Sequence, residues 1–494
     1  MPCLWTNRRL SAYTAAVAAA PALPSAHSPV DLDGPAYPTI LKLAIPTVIA
    51  MMSQAIVNAV DAVFFAHLPT HEEANAAQAA LMPSLILLWM FGGSLSAIGV
   101  GTQALVARRF VERRPEAAGS VLTNGSAFII AGGALLTVVS LYLLPWMAQK
   151  QHPNADVQTV IVDYGTYRMW GIVSMALTMG LKGFFDGLGR TWIHFVSSVV
   201  MNIFNILFCY IFIFGKFGAP VMGAAGAGLA ALLATWIGLF TMVIYLWLDR
   251  TTFRPFRISN LSMPLIWDIL KLSVPAAVAT VIMMFGFQVF VRIVAMLDEA
   301  AGVDAAVDLG AGVKTSINGA ATSNIISMLK LTFTACLAFG TATATLVAQS
   351  IGAGRPDRAV FFGWASLRLG LMVFGVVGAL EGTFAQELTN LWTTDPEVRE
   401  AMLTPMRLMG WTTPAIAVCM IMTEALFGAG TPKFVAVAQF LMVFGVLLPC
   451  AYLFAITLGW GLNGIWIAAT TYMVVGSVVM SAKFVKGSWQ SVRI

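Results

Sequence analysis

Twelve stretches of this chain are long and apolar enough to cross the roughly 30 Å of hydrocarbon in a bilayer. They fall near 38–66, 79–106, 121–148, 162–186, 192–215, 221–248, 265–297, 319–349, 360–384, 403–428, 433–457 and 461–483. Hydrocarbon offers no water to backbone N–H and C=O groups, so each span must close its own hydrogen bonds as a helix. Composition agrees: 59% of the 494 residues are hydrophobic and 10% are charged, where a soluble domain carries about a quarter charged. The predicted fold class is all-α and integral to the membrane, with the lipid bilayer as its surroundings. The net charge of +5 does not point to nucleic acid, because the basic residues follow the loops.

Arg108, Arg109, Arg113 and Arg114 follow span two, and Arg190 follows span four. Arg250, Arg254 and Arg257 follow span six, Arg355 and Arg358 span eight, and Lys433 span ten. The odd-numbered loops hold only Lys150, Lys216, Lys314 and Arg399, beside the acids of HEEAN at 71–75 and Asp298, Glu299, Asp304 and Asp308. Eleven basic residues against four place the even loops and both termini in the cytoplasm of a cell whose plasma (inner) membrane holds the protein. The opening MPCLWTNRRLSAYTAAVAAAPALPSA has features of an export signal. Pro21 and Pro24 interrupt its apolar part, and an N-terminus kept inside favours a cytoplasmic tail or an over-extended start.

The chain also repeats itself. ILKLAIPTVIA at 40–50 returns as ILKLSVPAAVA at 269–279, and ALVARRFVERRPEAA at 104–118 as TLVAQSIGAGRPDRA at 345–359. GFFDGLGRT at 183–191 returns as EALFGAGTP at 424–432, and GAAGAGLA at 223–230 as GLNGIWIA at 461–468. Six spans per half is an even number, so both halves enter from the same side and the repeats are parallel. The expected organisation is a tail at 1–37, a six-helix lobe at 38–248, a basic linker at 249–264, a second lobe at 265–484 and a tail at 485–494. Two such bundles with a seam between them suit an alternating-access carrier.

Within this oil, Asp61 stands out. An Asp at helix centre costs about 2.5–3.5 kcal/mol on insertion scales, so it must face a polar interior or be neutral. Gln54, Asn58 and Asp61 sit at i, i+4 and i+7, one polar stripe on one face of span one. Desolvation moves a carboxyl toward physiological pH, where it can gain and lose a proton in each cycle; a structural hydrogen bond to a neighbouring helix is the plainer alternative. Lys330 lies about a dozen residues into span eight, near mid-membrane at about 1.5 Å per residue. With Met284 and Gln288 of span seven it forms the candidate substrate contact, and snorkelling is the alternative for Lys330. Arg292 and Glu381 read as snorkelling residues.

Pro46 and Pro275 occupy equivalent points of spans one and seven, where a proline permits a kink. Met283, Met284, Met406, Met409, Met420 and Met422 offer a soft lining, though lipid-facing Met is the commoner arrangement. The five cysteines, Cys3, Cys209, Cys336, Cys419 and Cys450, form no disulfide or metal pattern. The histidines (His27, His67, His71, His152, His194) fall at ends and loops, and no Walker loop or HExxH appears. The chain is not expected to be an enzyme, to bind a cofactor or to hold a catalytic metal.

These motifs resemble the multidrug and toxic compound extrusion (MATE) family, within the wider group that includes polysaccharide-lipid flippases. The resemblance spans nearly all of 38–483. It is carried by LKLAIPTVIAMMSQAIVNAVDAVFFAHL, GTQALVARRFVERRPEAA, GFFDGLGRT, and NILFCYIFIFG with GAAGAGLAALLA. It implies two six-helix lobes around a central cleft, and a monomer exporting small organic solutes or drugs against inward H+ or Na+. A flippase of a lipid-linked substrate is the alternative. Asp61 matches the first-helix acid of many members, and Asn205 an asparagine near that acid in one branch. That branch's second acid falls at Cys209, its sixth-helix hydroxyl at Ala231, and its charges around GLG appear exchanged, as Asp186 and Arg190. The acids another branch uses in helices seven and ten have no clear match, and Glu424 sits near the cytoplasmic end of span ten. Asp61, Asn58, Asn205, Ser53 and carbonyls could supply cation ligands, yet with two oxygen positions lost H+ is favoured over Na+ as the coupling ion.

Overall fold

The computed structural model describes residues 30–66, 68, 70–151, 154–300, 317–393 and 395–490, with side chains left out at 54–63, 66, 71, 75, 82, 299 and 300. Every regular element among them is helical. The first half comprises α1 (Ala36–Ala66), α2 (His71–Leu88), α3 (Ile98–Val111), α4 (Pro115–Gln151), α5 (Ala155–Trp170), α6 (Ile172–Gly187), α7 (Thr191–Phe214) and α8 (Gly223–Leu248). The second comprises α9 (Met263–Ala300), α10 (Ile317–Gly352), α11 (Pro356–Thr383), α12 (Ala385–Trp392), α13 (Pro396–Gly428), α14 (Pro432–Met442) and α15 (Gly461–Val485).

Eleven helical stretches among the described residues are long and apolar enough to span a membrane. The twelfth, expected at 162–186, is present as α5 and α6, broken at Gly171, whose N–H turns back to the carbonyls of Tyr167 and Arg168. Neither piece alone reaches spanning length. Span two is likewise composite: α2 and α3 are joined through a π-helical turn at Trp89–Gly93 that ends on two buried glycines, a bulge that the 3.6-residue period of the sequence does not announce. Pro46 and Pro275 lie inside continuous helices.

Two large apolar clusters form the cores of the lobes. One gathers α2–α8 residues such as Phe110, Phe184, Ile193 and Leu239. The other gathers α9–α15 residues such as Phe339, Phe362, Ile421 and Trp466. Met406, Met409 and Met422 are fully buried in this second core, so they neither line a cleft nor face lipid, while Met284 is exposed. The first helix of each half crosses over. Ile40, Leu43 and Ala44 of α1 pack into the second lobe's core, and Leu265, Ile269 and Leu272 of α9 pack into the first lobe's.

The stretch between the halves is docked rather than loose. Asn124 of α4 donates to the Asn260 carbonyl and accepts from the Ser262 N–H, and Gly119 lies so close to Phe253 that a Cβ there would stand 1.8 Å from its carbonyl oxygen. Asp298, read above as a loop acid, is buried and accepts from the N–H groups of Asn318 and Gly319. It satisfies the orphan donors at the start of α10.

Candidate functional site

α10 is covered by α11 and α13 on one side and by α1, α3 and α9 on others. The stripe it leaves at least partly open runs Ser323, Ser327, Lys330, Thr334 and Thr341, spaced by 4, 3, 4 and 7 residues, one helical face. Its lower end meets the opposite lobe, because the Thr341 carbonyl accepts from Gln103 Nε2 at 3.0 Å. The stripe thus meets the other lobe at its lower end, and Lys330 is its charge. No carboxylate pairs with Lys330 among the described residues. Met284 and Gln288 are exposed one turn apart on α9, and no hydrogen bond among the described residues joins them to Lys330.

In the first lobe α1 packs on α7. Asn202 Nδ2 donates to the Ser53 carbonyl at 3.1 Å, and one turn on Asn205 is buried with its Oδ1 accepting from Cys209 Sγ at 3.9 Å. The Ser53 hydroxyl donates to the Ala50 carbonyl. Asn202 Oδ1 is buried without a partner among the described residues. The side chains of Gln54, Asn58 and Asp61 lie outside the described residues; the α1 backbone carries them along the helix that Asn202 grips.

At the basic-loop end the lobes are closed by a reciprocal set of hydrogen bonds that sequence reasoning missed. The last carbonyls of a helix lack intrahelical partners. Here the opposite lobe supplies them: Gln349 Nε2 of α10 donates to the Gly187 carbonyl ending α6 at 2.8 Å, and Arg108 Nη2 of α3 donates to the Ala429 carbonyl following α13 at 2.9 Å. Arg108 and Gln349 are equivalent positions of the repeat. Between them, Gln103 Nε2 reaches Thr345 Oγ1 at 2.9 Å, and Thr345 Oγ1 the Asp186 carbonyl at 3.0 Å. Gly352 lies flat on Arg108, where a Cβ would stand 2.6 Å from the Arg108 Cα.

A strap reinforces this seal. Val30 N–H donates to Gln349 Oε1, Leu32 is buried in the second lobe's core, and Asp33 accepts from Arg355 and Arg358. Thus the chain just before α1 is tied to the second lobe. The Arg355 guanidinium bonded to Asp33, helped by Arg358, holds its carboxyl at about 2, below the ordinary 3.8. Because the folded value is depressed, the tie is fully present above about 3.8 and is lost as pH falls through about 2. The difference in melting temperature between wild type and Asp33→Ala should stay constant from roughly pH 5 to 8 and shrink below about pH 4. A difference that grows or vanishes between pH 5 and 8 would contradict this.

Buried charges find partners that the sequence does not announce. Asp186 is bound at 2.5 Å by Lys182 one helical turn back, and Arg190 pairs with Asp249 at the end of α8. Glu381 does not snorkel. Its two oxygens accept from Thr332 of α10 and Thr413 of α13, so it ties three helices together. His194 lies at the start of α7, as expected of a helix end, and is buried there near Lys182.

A model of the MatE family matches residues 46–211 and 312–453. Among curated proteins, a probable multidrug resistance protein NorM of Thermotoga maritima is 24% identical over 462 residues, 91% of this chain and 92% of that one. The uncharacterized transporter YisQ of Bacillus subtilis is 25% identical, covering 80% and 83%. Among solved structures, a MOP superfamily transporter from Pyrococcus furiosus, described as having a binding pocket of reverse polarity, superposes with a TM-score of 0.81 at 18% identity, over 94% of this chain and 98% of that one. The outward-facing conformation of a multidrug resistance MATE family transporter superposes with a TM-score of 0.80 at 18% identity, over 92% and 97%.

Proposed function

Because this chain belongs to the MatE family, and is accordingly a multi-pass membrane transporter and not an enzyme, we propose that it exports small organic solutes by alternating access, in exchange for H+. The observation that carries this reading is the reciprocal seal. It closes one end of a cleft lined by a polar stripe, and it is built from side chain to helix-end bonds that water can replace when the lobes part. With the basic loops in the cytoplasm of the plasma-membrane-bound cell, the sealed end is the inner one and the cleft opens outward. One chain holds both lobes and the whole pathway, so a monomer suffices.

Coupling is assigned to Asp61, with Asn205, Asn58 and Gln54 around it. A protonated acid needs only one hydrogen-bond acceptor. A bare Na+ needs several oxygens, and here Cys209 and Ala231 stand where oxygen donors would help. Proteoliposomes with an imposed pH step and no Na+ gradient should load solute. Loading by a Na+ gradient alone would reverse the assignment.

Lys330 is the cationic group offered to the solute, with Met284 and Gln288 on the facing helix. A hydrogen bond to a charged group is worth about 1.5–3 kcal/mol. Lys330→Ala should therefore weaken binding of anionic or zwitterionic solutes by roughly 10- to 100-fold and spare simple cations. Calorimetric titration with solutes of either charge decides it, and equal weakening for both would reject the role.

A further inference from the structure

Glu424 is a buried acid that the transport reading leaves unused. It stands on α13 inside the seal, 8% exposed. With Gln103 of the other lobe it lines a cavity of about 10 Å³, near the smallest space that holds one water. Its carboxyl accepts no hydrogen bond from a described residue, and the cation within electrostatic reach is Lys182. That ammonium is already bound to Asp186.

The repeat shows how the acid enters the seal. In the first half Gly99 and Gly183 bring α3 and α6 into backbone contact, so close that a Cβ on Gly183 would stand 2.3 Å from the Gly99 carbonyl oxygen. The equivalent positions, both 241 residues further on, are Gly340 and Glu424. There Gly340 packs directly on the Glu424 side chain. The second half thus uses the same close approach to hold a carboxyl where the first half holds none.

Among the described residues, no further cation is bonded to Glu424. α10 brings Gly340 and Ala344 against Glu424, and α3 brings Gln103 and, a turn on, Arg108, which is held by the Ala429 carbonyl. α6 brings Lys182 and Asp186, with His194 of α7 behind them. α11 and α15 meet this stretch of α13 through Gly370 and Gly476. One ammonium and two carboxyl groups share a site with room for about one water, and the ammonium is bound to Asp186. A charge buried without a partner is costly, and a neutral acid beside one water is not.

We propose that Glu424 is a proton-binding site within the seal, loaded as the lobes close on it and emptied as they part. Closing takes one proton from the solution at the basic-loop end, and opening returns it to that same solution. The proton is not carried across the membrane. It makes closure of the seal depend on the pH of one compartment: acid holds the seal shut. This rests on the alternating-access reading.

The test is double electron–electron resonance between nitroxides on cysteines introduced at Arg114 and Asp357, one at the basic end of each lobe, in the full chain with its native cysteines replaced. The protein sits in lipid nanodiscs carrying Asp61→Asn, so that the coupling acid adds no titration; Asp33 titrates far below the range used. Two distances are expected, the shorter gaining weight by up to about tenfold per pH unit as pH falls from about 8.5 to 5.5. Glu424→Gln should hold the short distance at every pH, and Glu424→Asp should keep the pH dependence with a displaced midpoint. Should the Gln variant not fold, the wild-type slope and the Asp variant's shift decide the matter. Two distances whose ratio ignores pH, or a slope that survives in Glu424→Gln and vanishes in Asp186→Asn, would overturn the proposal. A single distance under every condition would remove the two-state reading itself, and the proton site with it.

Discussion

Asp61→Asn should leave the chain folded in the membrane and abolish gradient-driven export. The amide cannot take up a proton, so neither part of the proton gradient reaches the solute. One proton entering down 100 mV yields about 2.3 kcal/mol, and one pH unit about 1.4. A neutral solute exchanged for one proton draws on both, about 3.7 kcal/mol or a several-hundredfold gradient, and in the variant this falls to none. A monovalent cation exchanged for one proton moves no net charge, so only the pH term drives it, about tenfold per unit. Clamping the voltage in liposomes with valinomycin and K+ should thus impair wild-type export of a neutral solute and spare that of a monovalent cation. An Asn variant that pumps at the wild-type rate would end the assignment.

Arg108→Ala opens the seal. Its guanidinium is buried, with Nη2 on the last carbonyl of the α13 turn, where a cation also meets the negative end of the helix dipole. Hydrogen bonds of charged groups are worth about 1.5–3 kcal/mol, against about 0.5–1.5 for neutral ones. When the lobes part, water takes over the Ala429 carbonyl, so the bond counts toward the closed form alone. Arg108→Ala should lower the closed-to-open ratio by roughly 10- to 100-fold, and Gln349→Ala, its equivalent in the repeat, by roughly 2- to 10-fold. The readout is the rate at which an impermeant thiol reagent, added from the basic-loop side, modifies Ala344→Cys inside the seal. Equal acceleration by both variants would mean that charge at this helix end is immaterial.

Much of the architecture was legible because it is periodic. The spans, the two halves and the two-lobe fold follow from apolar length and from repeated motifs, and family membership from the same motifs. What escaped depends on which segments meet. Gln103, Arg108, Thr345 and Gln349 all lie within or beside the repeated GTQALVARRF and TLVAQSI stretches, so their pairing across lobes had a faint signal in the repeat itself. Lys182 stands one helical turn before Asp186, a spacing visible in the sequence, but the pair was passed over beside the exchanged charges around GLG. Glu381 misled because its partners are 49 and 32 residues away, and a lone acid near a helix end looks the same whether it reaches water or two threonines. The break at Gly171 was hidden because a glycine in an apolar run reads as a tolerated helix residue.

The crossing of the first helices has a consequence for biosynthesis. Ile40, Leu43 and Ala44 leave the ribosome first, yet the α10 and α11 surfaces that cover them lie about 300 residues later. At about 5–20 residues per second the nascent chain waits on the order of tens of seconds for them. During that time the start of α1 is a helix without its seat, and the first lobe stands incomplete in the bilayer until α9 arrives to supply Ile269 and Leu272. Neither half can be finished alone, and each completes the other. A ribosome stalled after α8 would leave an assembly with one vacant seat and one unseated helix, and a second half made from a separate message would have to find it by diffusion in the membrane.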